Sequence, residues 1–343
     1  MKIALKATPI LVWVLILSSV AGAQEPAKKP ATPAPGEMID AKTQKAIERG
    51  LSYLASIQND DGGWAYQGSA GNTGITALAG LAFLAGGSTP GRGKYGANVE
   101  KAVKYIIKHT RRDGYITAGN SRMYEHGFAT LFLAEVYGMT RDPLVKAKLA
   151  AAVRLIESTQ NGEGGWRYNP VPMDADISVT ICQIMGLRAA RNSGIKVSKK
   201  VIDNGIKYVK KCQNSDGGFS YTAGSRGSGF ARTAAGVCSL YYAGEYEDKS
   251  IKRGLDYMHK MFSRELGRGY GGHFHYGHYY AVQAMWQAGG KYWSNYYPKI
   301  RDHIVKGQQS DGSWRGYGTP AYPTSMCLII LQVPYRYLPV LQR

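Results

Sequence analysis

Gln58-Asn-Asp-Asp-Gly-Gly-Trp64 ends an amphipathic stretch of the chain, and variants of this heptapeptide return at regular intervals. Measured at the first position, the copies lie 52, 50, 53, 51 and 44 residues apart. A period in this range indicates a repeat architecture. The other copies are Gln160-Asn-Gly-Glu-Gly-Gly-Trp166, Gln213-Asn-Ser-Asp-Gly-Gly-Phe219, Gln308-Gln-Ser-Asp-Gly-Ser-Trp314, the weaker Thr110-Arg-Arg-Asp-Gly-Tyr115 and the degenerate Arg264-Glu-Leu-Gly-Arg-Gly-Tyr270, which lacks the Gln.

Each repeat has the same plan on either side of this turn. Before the turn, apolar residues such as Val99, Val103 and Ile106 follow the spacing of one helix face, and charges fill the other face. After the turn comes a helix that is apolar nearly all round, such as Ile75 to Leu84, which predicts burial on several sides. Gly in the turn supplies positive φ, and the Gln side chain can satisfy backbone groups at the helix end.

Six such hairpins can curve until the first meets the last. The sequence therefore predicts an all-α fold, a single α/α toroid over residues 39–343 with an inner ring of buried helices and an outer ring of charged ones. Most inner helices are expected to end at Gly in a left-handed cap. The predicted caps include Gly86, Gly138, Gly194, Gly244 and Gly289.

The first residues have the features of a secretory signal. Lys2 and Lys6 precede an apolar run, and Ala21-Gly22-Ala23 is a small-residue cleavage site. We expect a signal peptide over residues 1–23, a Pro/Ala/Lys-rich linker over residues 24–38, and export to the periplasm or the extracellular space. The apolar run is short for a membrane span, so the mature chain is predicted to have no transmembrane segment; a retained anchor is the alternative.

The net charge of +19 has two readings. The lysines of the outer helices can be a solvated face, or they can attract an anionic envelope surface. No nucleic-acid-reading module is recognisable, so nucleic acid is not predicted as a partner. The four cysteines lie mostly in apolar helical runs, which favours free buried thiols, although export permits disulfides.

The Gln-x-x-x-Gly-x-Trp pattern resembles the repeats of the prenyltransferase and squalene-cyclase superfamily, over about residues 40–343. This superfamily includes triterpene cyclases, protein prenyltransferase β subunits and the thioester domains of complement-like proteins. The resemblance implies a toroid whose inner helices line an apolar funnel. It does not choose among these functions, because function depends on the site.

All six inner helices begin just after a turn, so their N-termini are expected to open at one end of the barrel. The positive helix ends and nearby arginines such as Arg232 could hold a diphosphate or carboxylate there. The alternative is that these arginines pair with acids of the turns. Several tyrosines on the inner helices, including Tyr124, Tyr279 and Tyr280, could stabilise a cation or bind an amphipathic ligand, or they could simply pack.

Asp174 and Asp176 precede the third inner helix. They match the first two acids of the Asp-x-Asp-Asp motif of triterpene cyclases, in which a carboxylic acid protonates an alkene or epoxide. Ile177 replaces the last acid, which puts cyclisation in doubt. The alternative role of Asp176 is to cap the helix.

His273, His275 and His278 fall within six residues at the start of the fifth inner helix. Three nearby histidines can bind zinc, or they can form a polar, aromatic barrel mouth. The Asp-x-Cys pair of prenyltransferase β subunits is not found, so the zinc site of that family does not carry over. No metal and no cofactor are predicted. His126, at the second inner helix, could be a general acid or base, or a capping or core residue.

The sequence thus predicts an apolar cavity that binds an isoprenoid or another lipid-like molecule, with cyclase or transferase activity left open. A noncatalytic barrel that binds protein or glycan is the alternative, and a polysaccharide-degrading enzyme is a third hypothesis that would need paired carboxylates. The predicted catalytic candidates are Asp176, His126 and His278, and the predicted ligand contacts are Arg232, Tyr124, His275, Tyr279, Tyr280 and Asp174.

Overall fold

The computed structural model describes residues 38–65, 71–119 and 121–342. The predicted signal peptide lies outside them, as does the predicted linker except for its last residue. Met38 is buried, and its Sδ atom lies 3.2 Å from Nε1 of Trp293, so packing begins one residue before the predicted boundary. No helix in these ranges is long and apolar enough to cross a membrane.

Within the described ranges the structure contains twelve α-helices and no β-strand longer than an isolated bridge. The odd-numbered helices are outer and the even-numbered ones are inner. In chain order they are α1 (Ala41–Ser56), α2 (Thr73–Ala85), α3 (Gly96–Lys108), α4 (Met123–Thr140), α5 (Pro143–Ser158), α6 (Ile177–Asn192), α7 (Lys199–Lys211), α8 (Phe230–Ala243), α9 (Lys249–Gly267), α10 (Phe274–Ala288), α11 (Gly290–Lys306) and α12 (Ala321–Gln332).

The inner helices form a closed ring. Each one packs on the next, and α12 packs on α2 to complete the circle. The outer helix of the first hairpin, α1, contacts both α11 and α12. Burial distinguishes inner from outer helices. Every residue of the inner helix α2 is buried, whereas the outer helix α7 buries only one side. The predicted fold class, an all-α toroid of six helical hairpins, is confirmed.

In the four repeats that contain it, the Gln of the turn joins its hairpin to the next outer helix. Its side-chain amide donates one hydrogen bond to the carbonyl of the Gly four residues on and a second to a carbonyl near the start of the following outer helix. In the last repeat, the second bond runs from Gln308 to the Ala46 carbonyl in α1, at 2.8 Å, and closes the ring. The paired acceptors are Gly62 and Asn98 for Gln58, Gly164 and Val201 for Gln160, Gly217 and Ser250 for Gln213, and Gly312 and Ala46 for Gln308.

The aromatic residue of the turn ties the two helices of its own hairpin together. The Nε1 atom of Trp166 donates to the Ile156 carbonyl of α5 at 2.7 Å, and its backbone N–H donates to Oγ1 of Thr180 in α6 at 3.1 Å. A threonine at the fourth residue of the inner helix accepts the same backbone bond in three other repeats. These pairs are Trp64 with Thr76, Phe219 with Thr233, and Trp314 with Thr324.

Three of the predicted helix ends differ in the structure. Helix α4 passes through Gly138 to Thr140, and the left-handed cap is Arg141, whose φ is 57°. Gly86 has a φ of −84°, and the positive φ falls on the next residue, Gly87. Gly289 has a positive φ, but its ψ of −158° lies outside the left-handed helical region. Gly194 and Gly244 have positive φ as expected.

A terminal strap, residues 333–342, covers the end of the barrel at which the inner helices stop. It contains two short 3₁₀ helices, Val333–Tyr335 and Pro339–Leu341, and contacts α6, α10 and α12. Val340 is buried, and its backbone lowers the pKa of the Glu135 carboxyl group in α4, against the larger raising effect of burial. Because these helices stand on different sides of the ring, the strap closes this end.

Candidate functional site

A cavity of about 1350 Å³ lies at the other end of the barrel. All six inner helices contribute residues from their first turns to its wall, so their N-termini do open at one end, as the sequence predicts. The wall residues from these turns include Ile75, Tyr124, Ser178, Phe230, Tyr276 and Tyr322. The aromatic content makes the wall largely apolar, which suits a ligand with a hydrocarbon part.

Three tyrosines of α10 fill the barrel below the cavity. The Tyr276 hydroxyl donates to the Ser178 carbonyl at 3.0 Å, and the Tyr280 hydroxyl lies 3.2 Å from Sγ of Cys182. Tyr279 meets Phe128, from the opposite side of the ring, edge to face at 5.9 Å between centroids. The funnel expected from the resemblance is therefore a cup with an aromatic floor. Of the predicted tyrosine contacts, Tyr124 lines the cup, while Tyr279 and Tyr280 are buried in the floor.

Four arginines line the cavity: Arg122, Arg232, Arg264 and Arg268. Arg268 pairs with Glu265 at 2.8 Å. Arg232 donates to the Gly227 carbonyl at 3.2 Å, and its Nε atom is buried without a hydrogen-bond partner among the described residues. The arginines outnumber the two acids of the wall, Glu125 and Glu265, so the cavity carries excess positive charge.

Glu125 is held by five hydrogen bonds from the scaffold. Its Oε2 atom accepts the backbone N–H groups of Thr73, Ala118 and Gly119 and the Thr73 hydroxyl at 2.7 Å, and its Oε1 atom accepts the Ser121 N–H at 2.8 Å. These bonds tie the loop before α4 to the start of α2. The carboxylate therefore positions the wall of the cavity.

Asp176 lies at the N-terminus of α6 and is completely buried. Its Oδ1 atom accepts the N–H groups of Ser178 and Val179 at 2.8 and 2.9 Å, which is the capping role weighed in the sequence analysis. Its Oδ2 atom lies 3.7 Å from Nε of Arg167. Burial raises the pKa of Asp176, against the lowering effects of these amides, of the Tyr221 hydroxyl and of Arg167.

Asp174 is exposed, and its carboxylate pairs with Arg167 at 2.6 Å. Arg167 thus lies between the carboxylates of Asp174 and Asp176, the two acids of the Asp-x-Asp pattern. The hydroxyl groups of Tyr168 and Tyr221 hydrogen-bond each other, and both rings line the cavity. Asp176 consequently stands one layer behind the wall, beside Tyr221.

His126 has a scaffold partner on each ring nitrogen. Its Nδ1 atom accepts the Ile116 N–H at 3.1 Å, and its Nε2 atom lies 3.2 Å from the Ala152 carbonyl of α5. It is the fourth residue of α4, the position at which threonine binds the turn in four other repeats. Burial lowers the pKa of His126 to about 4. It faces the outer helix and so lies outside the proposed site.

His278 also faces an outer helix, because its Nδ1 atom lies 2.8 Å from the hydroxyl of Tyr296 in α11. Burial lowers its pKa to about 3, and the residue is part of the cavity lining. His275 stacks on Tyr270 at 5.4 Å, and burial lowers its pKa to about 4. The structure does not bring Asp176, His126 and His278 together in the cavity. Within the described ranges, no three His, Cys, Asp or Glu side chains are placed to hold a metal ion.

Tyr168 and Tyr221 were not singled out from the sequence, although a signal was present. Each lies two residues after the turn aromatic, Trp166 or Phe219, so both occupy one position of the repeat. Aligning the repeats on that aromatic would have placed both beside the start of an inner helix. The same alignment on the inner-helix start would have grouped His126 with the threonines.

A family model described as "Prenyltransferase alpha-alpha toroid domain" matches residues 37–275. A curated drimenyl diphosphate synthase from Streptomyces showdoensis is 28% identical over 181 residues, which is 51% of this chain. The chain spans about a third of the length of that relative, since the match covers 32% of it.

Solved structures with a similar fold include a terpene cyclase and a mannanase. One is a variant of the type II terpene cyclase MstE from Scytonema in complex with its substrate geranylgeranyl dihydroxybenzoate; it is 14% identical, with a TM-score of 0.62 over 87% of this chain and 98% of its own. The other is the GH76A α-1,6-mannanase from Salegentibacter sp. HEL1_6, which is 9% identical with a TM-score of 0.62 over 86% of this chain and 99% of its own. At these identities the likeness is one of fold alone.

Proposed function

The chain belongs to the prenyltransferase α/α toroid family, and from that premise we propose that it binds an isoprenoid or similar lipid-like molecule, with an anionic end, in the cup at the N-terminal mouth of the barrel. The observation that carries the proposal is the cavity of about 1350 Å³, whose lining contains both aromatic rings and arginines. Aromatic side chains bind a hydrocarbon chain by burying its apolar surface, while guanidinium groups bind carboxylate or phosphate oxygens.

The relatives favour the same ligand class. One is named for drimenyl diphosphate, and the cyclase MstE binds a geranylgeranyl compound. Both molecules join an isoprenoid part to a polar part, which matches a wall that contains both aromatic and arginine side chains.

Native mass spectrometry of the purified protein, followed by lipid extraction, tests this proposal. We expect a bound polyprenyl or terpenoid species. Phe128→Ala, which removes apolar wall, should weaken retention about tenfold, since an aromatic side chain contributes on the order of 1–2 kcal/mol at such a contact. Leu144→Ala is the matched control, because Leu144 is exposed on the outer helix α5. An empty barrel that also fails to bind added polyprenyl lipids would overturn the proposal.

Protonation-initiated cyclisation is a second candidate activity, favoured by the burial and the raised pKa of Asp176. In this reaction a proton would pass from the Asp176 carboxyl, relayed by the Tyr221 hydroxyl, to an alkene carbon of the ligand. The carboxylate would remain at Asp176, and the cation would lie against the tyrosine rings of the wall. Arg167 opposes the reaction, because its charge favours the deprotonated carboxyl.

Asp176→Asn retains a side-chain acceptor at the helix start but removes the acid. If Asp176 is the proton donor, turnover of a polyprenyl substrate falls at least a hundredfold while binding is retained. Unchanged turnover would assign Asp176 to capping alone.

Glycan hydrolysis is supported less well, despite the fold of the mannanase. A glycosidase needs two carboxylates, one of them free to transfer a proton. The cavity wall contains Glu125, whose oxygens accept five hydrogen bonds, and Glu265, which pairs with Arg268. A noncatalytic glycan- or protein-binding role remains the alternative to lipid binding, and the same lipid-binding assay decides between them.

We also propose that the protein is exported. The basic start, the apolar run and the Ala21-Gly22-Ala23 site support this. N-terminal sequencing of the protein from fractionated cells should find Gln24 first in the periplasmic or extracellular fraction. Full-length chains confined to the cytoplasm would contradict export.

A further inference from the structure

Arg122 occupies the residue before the inner helix α4, and the backbone there is in an unfavourable conformation. Its φ is 54° and its ψ is −125°. Among the described residues, two other non-glycine residues have positive φ, Arg141 and Arg336, but their ψ values of 21° and 23° place them in the ordinary left-handed helical region. Arg122 lies outside that region, in a part of conformational space that suits glycine.

Arg122 makes no side-chain cap for the helix. The corresponding residues of α2 and α6, Asn72 and Asp176, accept backbone N–H groups of the first turn, whereas the residues before α8, α10 and α12 make no such cap. A missing cap is therefore shared by several inner helices. What sets Arg122 apart is a strained backbone at a residue that lines the cavity, which is the pattern expected where function opposes stability.

The side chain of Arg122 is exposed and lines the cavity. It forms no ion pair with an acid of the described ranges, whereas Arg167 and Arg268 have such partners. Arg232 and Arg264 line the same cavity, and the buried Nε atom of Arg232 has no hydrogen-bond partner in the described part of the chain. Guanidinium groups that line one cavity without an acidic partner have donors free for the oxygens of an anion.

We propose that Arg122 is held in this conformation to bind the anionic group of the ligand, a phosphate or carboxylate at the end of a lipid-like chain. The inference rests on the proposed function and deepens it by assigning the polar end of the ligand to this residue. Glycine would fit the backbone at this position better than arginine, so the fold gives up stability to place a charge at the mouth.

Two substitutions separate the charge from the backbone. Arg122→Ala removes the guanidinium and leaves a side chain at positive φ, whereas Arg122→Gly removes both the guanidinium and the strain. We expect both to weaken binding of farnesyl phosphate about tenfold or more, as for one lost charge-assisted contact. Only the glycine variant should unfold at a higher temperature, by about 2 °C. Arg112→Ala is the control, because Arg112 is an exposed arginine in the turn of the same repeat and its replacement removes the same charge.

Farnesol has the same hydrocarbon chain as farnesyl phosphate but no anionic group. Comparing the binding of the two compounds therefore separates a failure of lipid binding from a failure of the role of Arg122. The wild-type protein should prefer farnesyl phosphate over farnesol, and the preference should collapse in both Arg122 variants. Failure of the wild type to bind either compound would overturn the proposed function. Equal binding of both compounds by the wild type, or an unchanged preference in the variants, would overturn the role of Arg122 and leave lipid binding intact.

Discussion

Gly164→Ala should destabilise the toroid for two reasons that can be measured separately. Gly164 has a φ of +100°, and a Cβ atom built on it would lie 2.2 Å from the backbone oxygen of Asn204 in the next outer helix, α7. Placing an L-residue at positive φ costs about 1–2 kcal/mol. Forcing an extra atom into a packed contact costs about 1–3 kcal/mol. Because the obstructing atom belongs to the backbone, a side-chain rotation cannot relieve the contact.

The sum is roughly 2–5 kcal/mol. A domain of roughly 300 residues unfolds with an entropy of about 0.6 kcal/mol/K, so the midpoint of thermal unfolding should fall by about 3–8 °C. Circular dichroism at a helix wavelength follows the transition directly, since the fold is all-α.

Two other glycines serve as matched controls. Gly227 has a φ of +87°, and a methyl group there would have nothing within 4 Å. Gly227→Ala should therefore lower the free energy of unfolding only by the cost of an L-residue at positive φ. Gly162, in the same turn as Gly164, has open space and no positive φ, so Gly162→Ala should change the midpoint by less than about 1 °C. A Gly164→Ala midpoint equal to that of Gly162→Ala would refute the role assigned to the turn.

Three further predictions concern buried ionisable groups. Glu125→Gln should cost roughly 3–5 kcal/mol in urea unfolding, because an amide cannot accept all the bonds of the carboxylate, while exposed Glu48→Gln should cost nothing measurable. Burial raises the pKa of Glu135 from 4.5 to about 8, so its stabilising contribution is full below about pH 4.5 and is lost as the pH rises through 8. Glu135→Gln should therefore gain stability relative to wild type at pH 9 but not at pH 4; an equal gain at both would contradict this. Buried His126 and His275 have their pKa lowered from 6.5 to about 4, so their contribution is full above pH 6.5 and is lost as the pH falls through 4, which predicts a falling unfolding midpoint over that range. An unfolding midpoint that stays constant between pH 6.5 and pH 4 would contradict this prediction, because it would show that the two imidazoles are solvated in the folded protein.

The architecture could be predicted from the sequence because it depends on local, repeated chemistry. Gly164 and its equivalents need positive φ. Gln160 and Trp166 donate hydrogen bonds to backbone carbonyls that lie at constant positions in the repeat. The sequence of one repeat is therefore enough to predict its hairpin. The helix ends were less predictable, since α4 continues past Gly138 to its cap at Arg141 and the positive φ after α2 falls on Gly87.

The site was harder to predict, because residue type does not report which way a side chain faces. His126 and Tyr124 lie two residues apart on α4, yet one bonds an outer helix and the other lines the cup. Tyr279 and Tyr280 have the composition of a binding wall but meet partners from across the ring. The position of Arg232 on the wall agrees with its predicted place, and its predicted contact with ligand stays a prediction.

The bond from Gln308 to α1 has a consequence for how such a chain can change in evolution. An open solenoid gains or loses whole units at its ends and needs special terminal units to shield them from water. In this ring the last unit is shielded by the first, so no unit is terminal. Duplicating or deleting one hairpin would change the circumference and separate Gln308 from the Ala46 carbonyl. The number of units is therefore fixed by closure, and variation is confined to the segments that connect them.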